Sequence, residues 1–247
     1  MIYSDYAAVY DQTGQIRHSI LTANYLPDLL RRHSVDGRRL LDLACGTGTF
    51  AIIQAEAAWQ VIGLDRSPAM LAVAERKAAR AGVAVEWIEG DLRAVMLPAP
   101  VDLATCWYDS LNYLLREEEV ELAFRSIYAA LAPNGLLCCD VATEYFLRNY
   151  WSGVEVYEDA DYIQVMQSAY DGNDCSTLVL TGWHRRSVDH WERFREVHVE
   201  RGYPRSFWLE SLLVAGFVVE GCYDCFTLQA PNERSLRLCW VARKPAR

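Results

Sequence analysis

A glycine-spaced turn near residue 46 has the residue types that bind nucleotide-like ligands. Gly46 and Gly48 follow the apolar run "LLDLAC" in the pattern G-x-G-x-x-A. Glycines spaced in this way let the main chain approach a ligand closely where a strand passes into a helix. The turn has two interpretations: it seats the pyrophosphate of a dinucleotide, or it belongs to a loop that holds no phosphate.

Three carboxylates accompany the first three apolar runs and bear on that choice. Asp65 ends the second run, where it could accept hydrogen bonds from two ribose hydroxyls, and Asp91 in "EGDLR" could accept one from an adenine amine. Asp42 lies inside the first run, and an acid in a buried strand is costly without a partner. Its presence is explained if it braces the glycine loop and faces a cationic amino group.

The ligand that fits this set is a nucleoside with a positive charge and an amino acid tail. No Lys-Ser/Thr pair follows the glycines, which excludes a P-loop. S-adenosylmethionine matches the description better than a pyrophosphate does. An NAD-dependent oxidoreductase would share the glycine turn, but it would leave Asp42 unexplained.

The elements that must position these residues alternate between short apolar runs and helical patterns over the first 142 residues, which is typical of a parallel α/β sheet. Ser67, Pro68 and Gly82 mark the start and end of one helix. Further along, a β-rich, partly polar stretch predicts an inserted antiparallel meander. The predicted strands are 38–45, 60–65, 83–91, 101–108 and 136–142, and the predicted helices are 48–58, 67–82, 120–131 and 205–217, with a closing antiparallel pair at 217–226 and 236–244.

Composition excludes several classes of protein. The 247 residues carry a formal charge of −9, which disfavours nucleic acid as a partner. The apolar runs are shorter than the ~18 residues that span a bilayer, and the N-terminus lacks the features of a signal peptide, so a cytoplasmic protein is expected. Cys222 and Cys225 would point to opposite faces of a strand, and the histidines have no motif spacing, so no metal site is predicted.

Four motifs resemble, in order and spacing, those of class I S-adenosylmethionine-dependent methyltransferases: "LLDLACGTGTF", "VIGLDRSPAML", "EGDLR" and "LAPNGLL". "SDYAAVYDQ" resembles the N-terminal lid of the small-molecule members, which include glycine and amino-sugar N-methyltransferases. "CWYDSLNYL" resembles their segment after strand four. The resemblance implies an α/β, Rossmann-like fold: a seven-stranded, mostly parallel sheet with helices on both faces, an antiparallel last strand and the inserted β-meander.

The same resemblance implies a division of the chain and a cofactor, S-adenosyl-L-methionine. Residues 1–145 would form the cofactor-binding core with its lid, 146–203 the inserted sheet over the acceptor pocket, and 204–247 the last helix and closing strands. The implied cofactor-binding residues are Tyr10, Arg17, Asp42, Ala44, Gly46, Gly48, Asp65, Arg66, Met70, Asp91, Leu92 and Cys106.

Individual roles follow from the family pattern. The glycines would admit the methionine part, and Asp91 with the Leu92 amide would hold the adenine edge. The Cys106 carbonyl would face the amino group. Three assignments keep a structural alternative: Met70 packs on adenine or only within its helix, Tyr10 closes over the sulfonium or anchors the N-terminal helix, and Arg17 pairs with the methionine carboxylate or is a surface charge.

The predicted catalytic residues are Tyr10, Asp109 and Tyr113. Asp109 either holds an ammonium group or caps the short helix "SLNYLL". Further residues expected to shape the acceptor pocket are Trp107, Asn112, Tyr150, Trp151, Trp183 and Trp191. The expected activity is methyl transfer to a small-molecule acceptor, an amine nitrogen, by a monomer or homodimer without nucleic acid or membrane. The alternatives are an O-methyltransferase acting on a phenol or carboxylic acid and a non-catalytic binder of the cofactor.

Overall fold

Two β-sheets organise the chain, which a computed structural model describes from residue 3 to residue 246. The outermost residues of the predicted first and last divisions, 1, 2 and 247, lie outside the described residues. The helices are α1 (Ile16–Arg32), α2 (Thr49–Glu56), α3 (Pro68–Ala81), α4 (Glu117–Ala130), α5 (Glu144–Asn149) and α6 (Arg205–Val214), and short 3-10 turns span Tyr6–Ala8, Tyr10–Thr13, Leu92–Ala94 and Ser110–Tyr113.

The larger sheet has seven strands: β1 (Arg39–Leu43), β2 (Gln60–Asp65), β3 (Val85–Glu89), β4 (Val101–Cys106), β5 (Leu131–Ala142), β10 (Val218–Asp224) and β11 (Arg237–Arg243). They lie in the order β10-β11-β5-β4-β1-β2-β3. Six of them run in one direction, and only β11, which lies between β5 and β10, runs antiparallel to its neighbours. The predicted α/β class with an antiparallel last strand is therefore confirmed.

The smaller sheet lies between β5 and α6 in sequence and pairs its four strands consecutively as antiparallel neighbours. It comprises β6 (Gly153–Glu158), β7 (Tyr162–Tyr170), β8 (Cys175–Ser187) and β9 (His190–Arg201), and is called the inserted sheet below. The predicted meander is confirmed. The predicted stretch begins at residue 146, but the chain is helical up to Asn149. Thr143 caps this helix, α5, by accepting a hydrogen bond from the Phe146 amide at 3.1 Å.

Apolar residues on both faces of the larger sheet explain its stability. Strand β1 is buried from Leu40 to Leu43, and one core cluster lies on each side of the sheet. Helix α3 begins as the sequence predicts, with Ser67 accepting a hydrogen bond from the Met70 amide and Pro68 in the first turn, and it ends at Gly82 with φ +71°. Among residues 3–246, no helix combines the length and apolar character needed to cross a membrane.

Strands β1, β3 and β4 each end two residues before the predicted ends at 45, 91 and 108, since they stop at Leu43, Glu89 and Cys106. The chain leaves the sheet there because the following residues form loops at its carboxyl edge. The predicted helix to 217 likewise stops at Val214, before Gly216 with φ +100°. Leu131, predicted as helical, is extended and pairs with Val101 at the start of β5.

The two glycines of the turn serve different purposes. A Cβ on Gly46 would meet no atom within 4 Å, whereas a Cβ on Gly48 would lie 2.6 Å from the Trp87 ring and 2.7 Å from the Ala74 methyl. Both have positive φ, +54° and +74°. Gly48 therefore lets the start of α2 lie close to both α3 and β3, and Gly46 faces open space.

Replacing Gly48 by alanine should lower the free energy of unfolding by about 2–5 kcal/mol, since overpacking against Trp87 adds to left-handed backbone strain. Gly82→Ala is the matched control, because Gly82 has φ +71° and no atom within 4 Å of a Cβ. It should lose only about 1–2 kcal/mol. Urea unfolding measures both, and equal losses would contradict the packing role of Gly48.

Candidate active site

A cavity of about 630 Å³ lies at the carboxyl edge of the parallel strands. The N-terminal residues Tyr3, Tyr6 and Tyr10 form one wall, and the inserted sheet forms another. Other lining residues follow the strand ends, and they include Ala44, Gly46, Asp65, Arg66, Met70, Asp91, Leu92, Trp107, Tyr108, Asp109 and Tyr113. An open α/β sheet places its ligands at this edge.

The loop after β1 is held by the carboxylate that ends β2. Gly46 N–H donates to Asp65 Oδ2 at 2.8 Å, and Ser67 N–H donates to Asp65 Oδ1 at the same distance. Burial raises the pKa of Asp65, and these two hydrogen bonds oppose the rise. Each oxygen keeps a lone pair, so the side chain can still accept from a ligand hydroxyl.

Asp42 is the buried acid inside β1, and it is only half satisfied. Its Oδ1 accepts a hydrogen bond from Thr105 Oγ1 at 3.1 Å, while its Oδ2 is buried without a partner. Burial, reinforced by the nearby Asp65, raises the pKa of Asp42 to about 8 against the Thr105 hydrogen bond. Because Asp42 lines the cavity, a cationic ligand group there would satisfy it.

Asp91 has a stronger partner than the sequence indicates. It accepts from the Arg93 amide at 2.9 Å and forms two side-chain hydrogen bonds with the Arg93 guanidinium, at 2.8 and 2.6 Å. The Arg93 hydrogen bonds hold the pKa of Asp91 below its usual value. Asp91 still lines the cavity beside Leu92, where its second oxygen has one lone pair left.

The segment after β4 contains two consecutive residues in the left-handed region, Tyr108 with φ +59° and Asp109 with φ +50°. The capping alternative for Asp109 is wrong, since its side chain makes no cap hydrogen bond. The Arg237 guanidinium instead bridges Asp109 and Asp140, with Nη1 of Arg237 at 2.6 Å from Asp140 Oδ2. Such strained, ion-paired segments are typical of ligand sites.

Charge in this part of the cavity is concentrated around Arg237. Burial would raise the pKa of Asp140, but the Arg237 guanidinium and His18 hold it at about 2. His18 Nε2 is 3.8 Å from Asp140 Oδ1, and its ring stacks on Tyr108 with centroids 4.1 Å apart. Burial raises the pKa of Asp109 against the opposing charge of Arg237.

Strand β9 contributes three polar side chains that the sequence predictions missed: Glu196, His198 and Glu200. Tyr113 Oη lies 3.1 Å from His198 Nδ1 and 2.8 Å from the Tyr3 hydroxyl. Glu200 is 2 % exposed, and its Oε2 has no hydrogen-bond partner. Burial and the nearby Asp109 raise the pKa of Glu200 well above its usual value. The signal was "EVHVE", in which alternate polar residues share one face of a strand.

Several predicted residues lie outside the cavity lining. Arg17 is exposed on α1, and Cys106 precedes the lining residue Trp107. Gly48 packs on Trp87, as described above. Asn112 instead ties β5 to β9, donating to the carbonyls of Ala142 and Arg201 at 3.0 and 2.8 Å. Trp183 and Trp191 lie under the guanidinium groups of Arg193 and Arg185, whereas Tyr150 and Trp151 do line the cavity.

Unsatisfied polar atoms concentrate in this cavity. Among residues 3–246, the buried side-chain atoms without a partner include five on lining residues: His18 Nε2, Asp42 Oδ2, Trp107 Nε1, His198 Nε2 and Glu200 Oε2. Buried polar groups without partners are costly, and those at ligand sites are satisfied by the ligand. Asp42 Oδ2 and Glu200 Oε2 are the two carboxyl oxygens among these atoms, and they mark positions on the cavity wall that a ligand can satisfy.

Comparisons with known proteins agree with this geometry. Residues 40–135 match the model of a family described as "Methyltransferase domain". A Geobacillus sp. (strain WCH70) protein named "Putative methyltransferase" is 31 % identical over 247 residues, covering 99 % of this chain and all of the relative. A dTDP-3-amino-3,4,6-trideoxy-alpha-D-glucopyranose N,N-dimethyltransferase of Streptomyces venezuelae is 28 % identical, covering 87 % of this chain and 91 % of the relative.

A solved S-adenosylmethionine-dependent methyltransferase from Clostridium acetobutylicum has the same fold, with a TM-score of 0.88 at 20 % identity and 98 % coverage of both chains. The residues present fit the cofactor of that family, because the partnerless Asp42 oxygen, the open face of Gly46 and the carboxylate of Asp65 line one cavity. Sequence motifs, fold, relatives and cavity agree, and the chain belongs to the class I S-adenosylmethionine-dependent methyltransferases.

Proposed function

We propose that this methyltransferase acts on the amine nitrogen of a small molecule. The observation that carries the proposal is Glu200, a buried carboxyl on the cavity wall whose Oε2 has no partner in the protein. An amine or ammonium group supplies the hydrogen bonds and the positive charge that such a carboxyl lacks. In this proposal the divisions 1–145, 146–203 and 204–247 act as cofactor core, acceptor cover and closing elements of a cytoplasmic enzyme.

The cofactor end of the cavity is assigned to the loop after β1 and its neighbours. When bound, S-adenosylmethionine supplies a methyl group on a positively charged sulfur. Asp42 would face the amino group, Asp65 the ribose hydroxyls, and Asp91 with the Leu92 amide the adenine edge. The remaining assignments are Tyr10, Ala44, Gly46, Arg66 and Met70, all of which line the cavity.

The acceptor end has more acidic side chains than basic ones. Asp109, Asp140 and Glu200 lie near Arg237, which pairs with the first two. An ammonium group would stabilise the ionised form of Glu200, whereas a carboxylate acceptor would bring no compensating positive charge to it. Asp109 would not bind the acceptor as a free anion. It would instead hold Arg237 in place and help to fix the conformation of the segment after β4.

The proton that the acceptor nitrogen loses has a route into the protein. Tyr113 lines the cavity, and its hydroxyl lies 3.1 Å from His198 Nδ1. Tyr113 would accept the proton from the nitrogen and pass its own proton to the imidazole. Tyr10 and Tyr113 would otherwise align the two reactants, which is the main requirement of an in-line displacement.

The sugar nucleotides named for the relatives carry a diphosphate, and the acceptor end is poorly suited to one. Its guanidinium, Arg237, pairs with Asp109 and Asp140 and is covered by the rings of Tyr108 and Phe146 at 5.1 and 5.7 Å. Much of the wall on the side of the inserted sheet is apolar, formed by Trp151, Met166, Leu178 and Leu180. These features favour a free amine with an apolar body.

A methyl-transfer screen tests the proposal with primary and secondary amines, phenols, carboxylic acids and a dTDP-amino sugar. Apolar amines should be methylated, and Glu200→Gln should lower kcat/KM for the best amine by about 10- to 100-fold, the contribution of a hydrogen bond to a charged group. Glu158→Gln, an exposed site on the same sheet, is the control and should leave the rate unchanged.

Two results would contradict this assignment. Turnover of phenols or acids without amines would favour the O-methyltransferase alternative. Unchanged amine turnover by Glu200→Gln would remove Glu200 from acceptor recognition. A protein that binds the cofactor but methylates no acceptor in the screen would instead favour the non-catalytic binder.

Replacing Asp65 by asparagine tests the cofactor end separately. The variant keeps an oxygen for the Gly46 or Ser67 amide but loses the charge that strengthens the ribose hydrogen bonds. Calorimetry should show S-adenosylhomocysteine binding weakened by about 100-fold, as expected for one or two charge-assisted bonds. Wild-type affinity in the variant, or NAD binding as tightly as S-adenosylhomocysteine to the wild type, would show that the assignment is wrong.

A further inference from the structure

The first described residues form a cover for the cavity that has little regular structure of its own. Residues 3–13, the N-terminal segment, contain two short 3-10 turns. The segment places the rings of Tyr3, Tyr6 and Tyr10 on the cavity wall, where Tyr10 packs edge-on against the other two at 5.9 and 5.4 Å. Because so short a segment makes few internal hydrogen bonds, its position depends on contacts with the rest of the chain.

One side chain of the inserted sheet binds three main-chain amides of this segment. Glu196 Oε2 accepts from Tyr3 N–H at 2.6 Å, and Glu196 Oε1 accepts from the amides of Asp5 and Tyr6 at 3.2 and 3.1 Å. Glu196 is buried. His198 and the amides of Tyr3 and Tyr6 hold its pKa below the usual value, although burial alone would raise it. A carboxylate with three amide donors is a strong, charge-assisted anchor.

The other end of the segment is tied to the loop that carries Gly46. Thr47 Oγ1 donates to Asp11 Oδ1 at 2.6 Å, and Lys77 forms an ion pair with the other oxygen of Asp11. Lys77 also donates to Thr49 Oγ1 at 2.6 Å. The segment is thus fixed at one end to the acceptor side of the cavity and at the other end to the cofactor side.

We propose that Glu196 is a positioning residue for the cofactor. Glu196 belongs to the inserted sheet, which covers the acceptor side of the cavity. By holding the N-terminal segment over the cavity, it also affects the cofactor site. Cofactor exchange requires the segment to leave this position, which breaks the three amide bonds to Glu196 and the contacts of Asp11. Weakening either anchor lowers the population of the closed state, and apparent cofactor affinity falls with that population.

Binding of S-adenosylhomocysteine tests the proposal without any acceptor. Glu196→Gln should raise the Kd for S-adenosylhomocysteine about tenfold or more, mainly through faster dissociation, because closure becomes less favourable. Glu192→Gln is the matched control, since Glu192 is an exposed carboxylate on the same strand that pairs with Arg186. It should bind S-adenosylhomocysteine as the wild type does.

Two further measurements separate positioning from a general loss of structure. In the free protein, hydrogen exchange of the peptide covering residues 3–13 should accelerate in Glu196→Gln while the amides of β1 and β4 keep their protection. Asp11→Asn combined with Glu196→Gln should weaken binding by more than the product of the single effects. Both substitutions shift one closure equilibrium, and the wild type is mainly closed, so each single substitution uses up part of the excess stability of the closed state before binding weakens.

The proposal is overturned if Glu196→Gln binds S-adenosylhomocysteine with wild-type affinity and dissociation rate. It is equally overturned if the N-terminal amides exchange no faster or if the two substitutions combine multiplicatively. If Glu196→Gln fails to fold, Asp11→Asn alone is tested. It should show faster hydrogen exchange in residues 3–13 and weaker binding of S-adenosylhomocysteine, and the absence of either effect would overturn the proposal.

Discussion

Buried carboxyl oxygens without a hydrogen-bond partner in the protein are the constraint on which this active site depends. Taking a carboxylate out of water is costly, so a fold keeps one in its interior only where hydrogen bonds or a ligand compensate it. Asp42 and Glu200 each present such an oxygen to the same cavity, whereas Asp109 and Asp140 are compensated by Arg237. The satisfied acids shape the site, and the unsatisfied ones indicate where positively charged groups of the reactants belong.

Each of the three parts of the chain contributes residues that compensate the buried acids or close the cavity around them. The parallel sheet brings Asp42 and Asp65 to one edge, and its last strand supplies Arg237 to the loop after β4. The inserted sheet adds His198 and Glu200 and uses Glu196 to hold the N-terminal tyrosines. Methyl transfer needs alignment and exclusion of water more than covalent help. A cavity closed by two separate covers suits that requirement.

Much of the fold could be predicted because its signals are local. The Ser67 cap and Gly82 terminus bound α3 from a few adjacent residues, and Asp65 follows from its place at a strand end. The partners of the site could not be predicted in this way. Glu196 binds the Tyr6 amide across 190 positions, and Arg237 reaches Asp109 across 128, so neither pairing leaves a pattern in neighbouring residues. Asp109 therefore had two local interpretations, neither of which contained its actual partner.

The most direct test of this account is an NMR titration of the Asp42 carboxyl, with Asp42→Asn to identify its resonance. In the free protein Asp42 should titrate near its raised pKa of about 8, so that it is mainly protonated at neutral pH. Because a cationic amino group favours the ionised form, S-adenosylhomocysteine should lower this pKa and strengthen its own binding as the pH rises toward 8. Titration of Asp42 in the ordinary carboxyl range without ligand, or a pKa that S-adenosylhomocysteine leaves unchanged, would contradict the account.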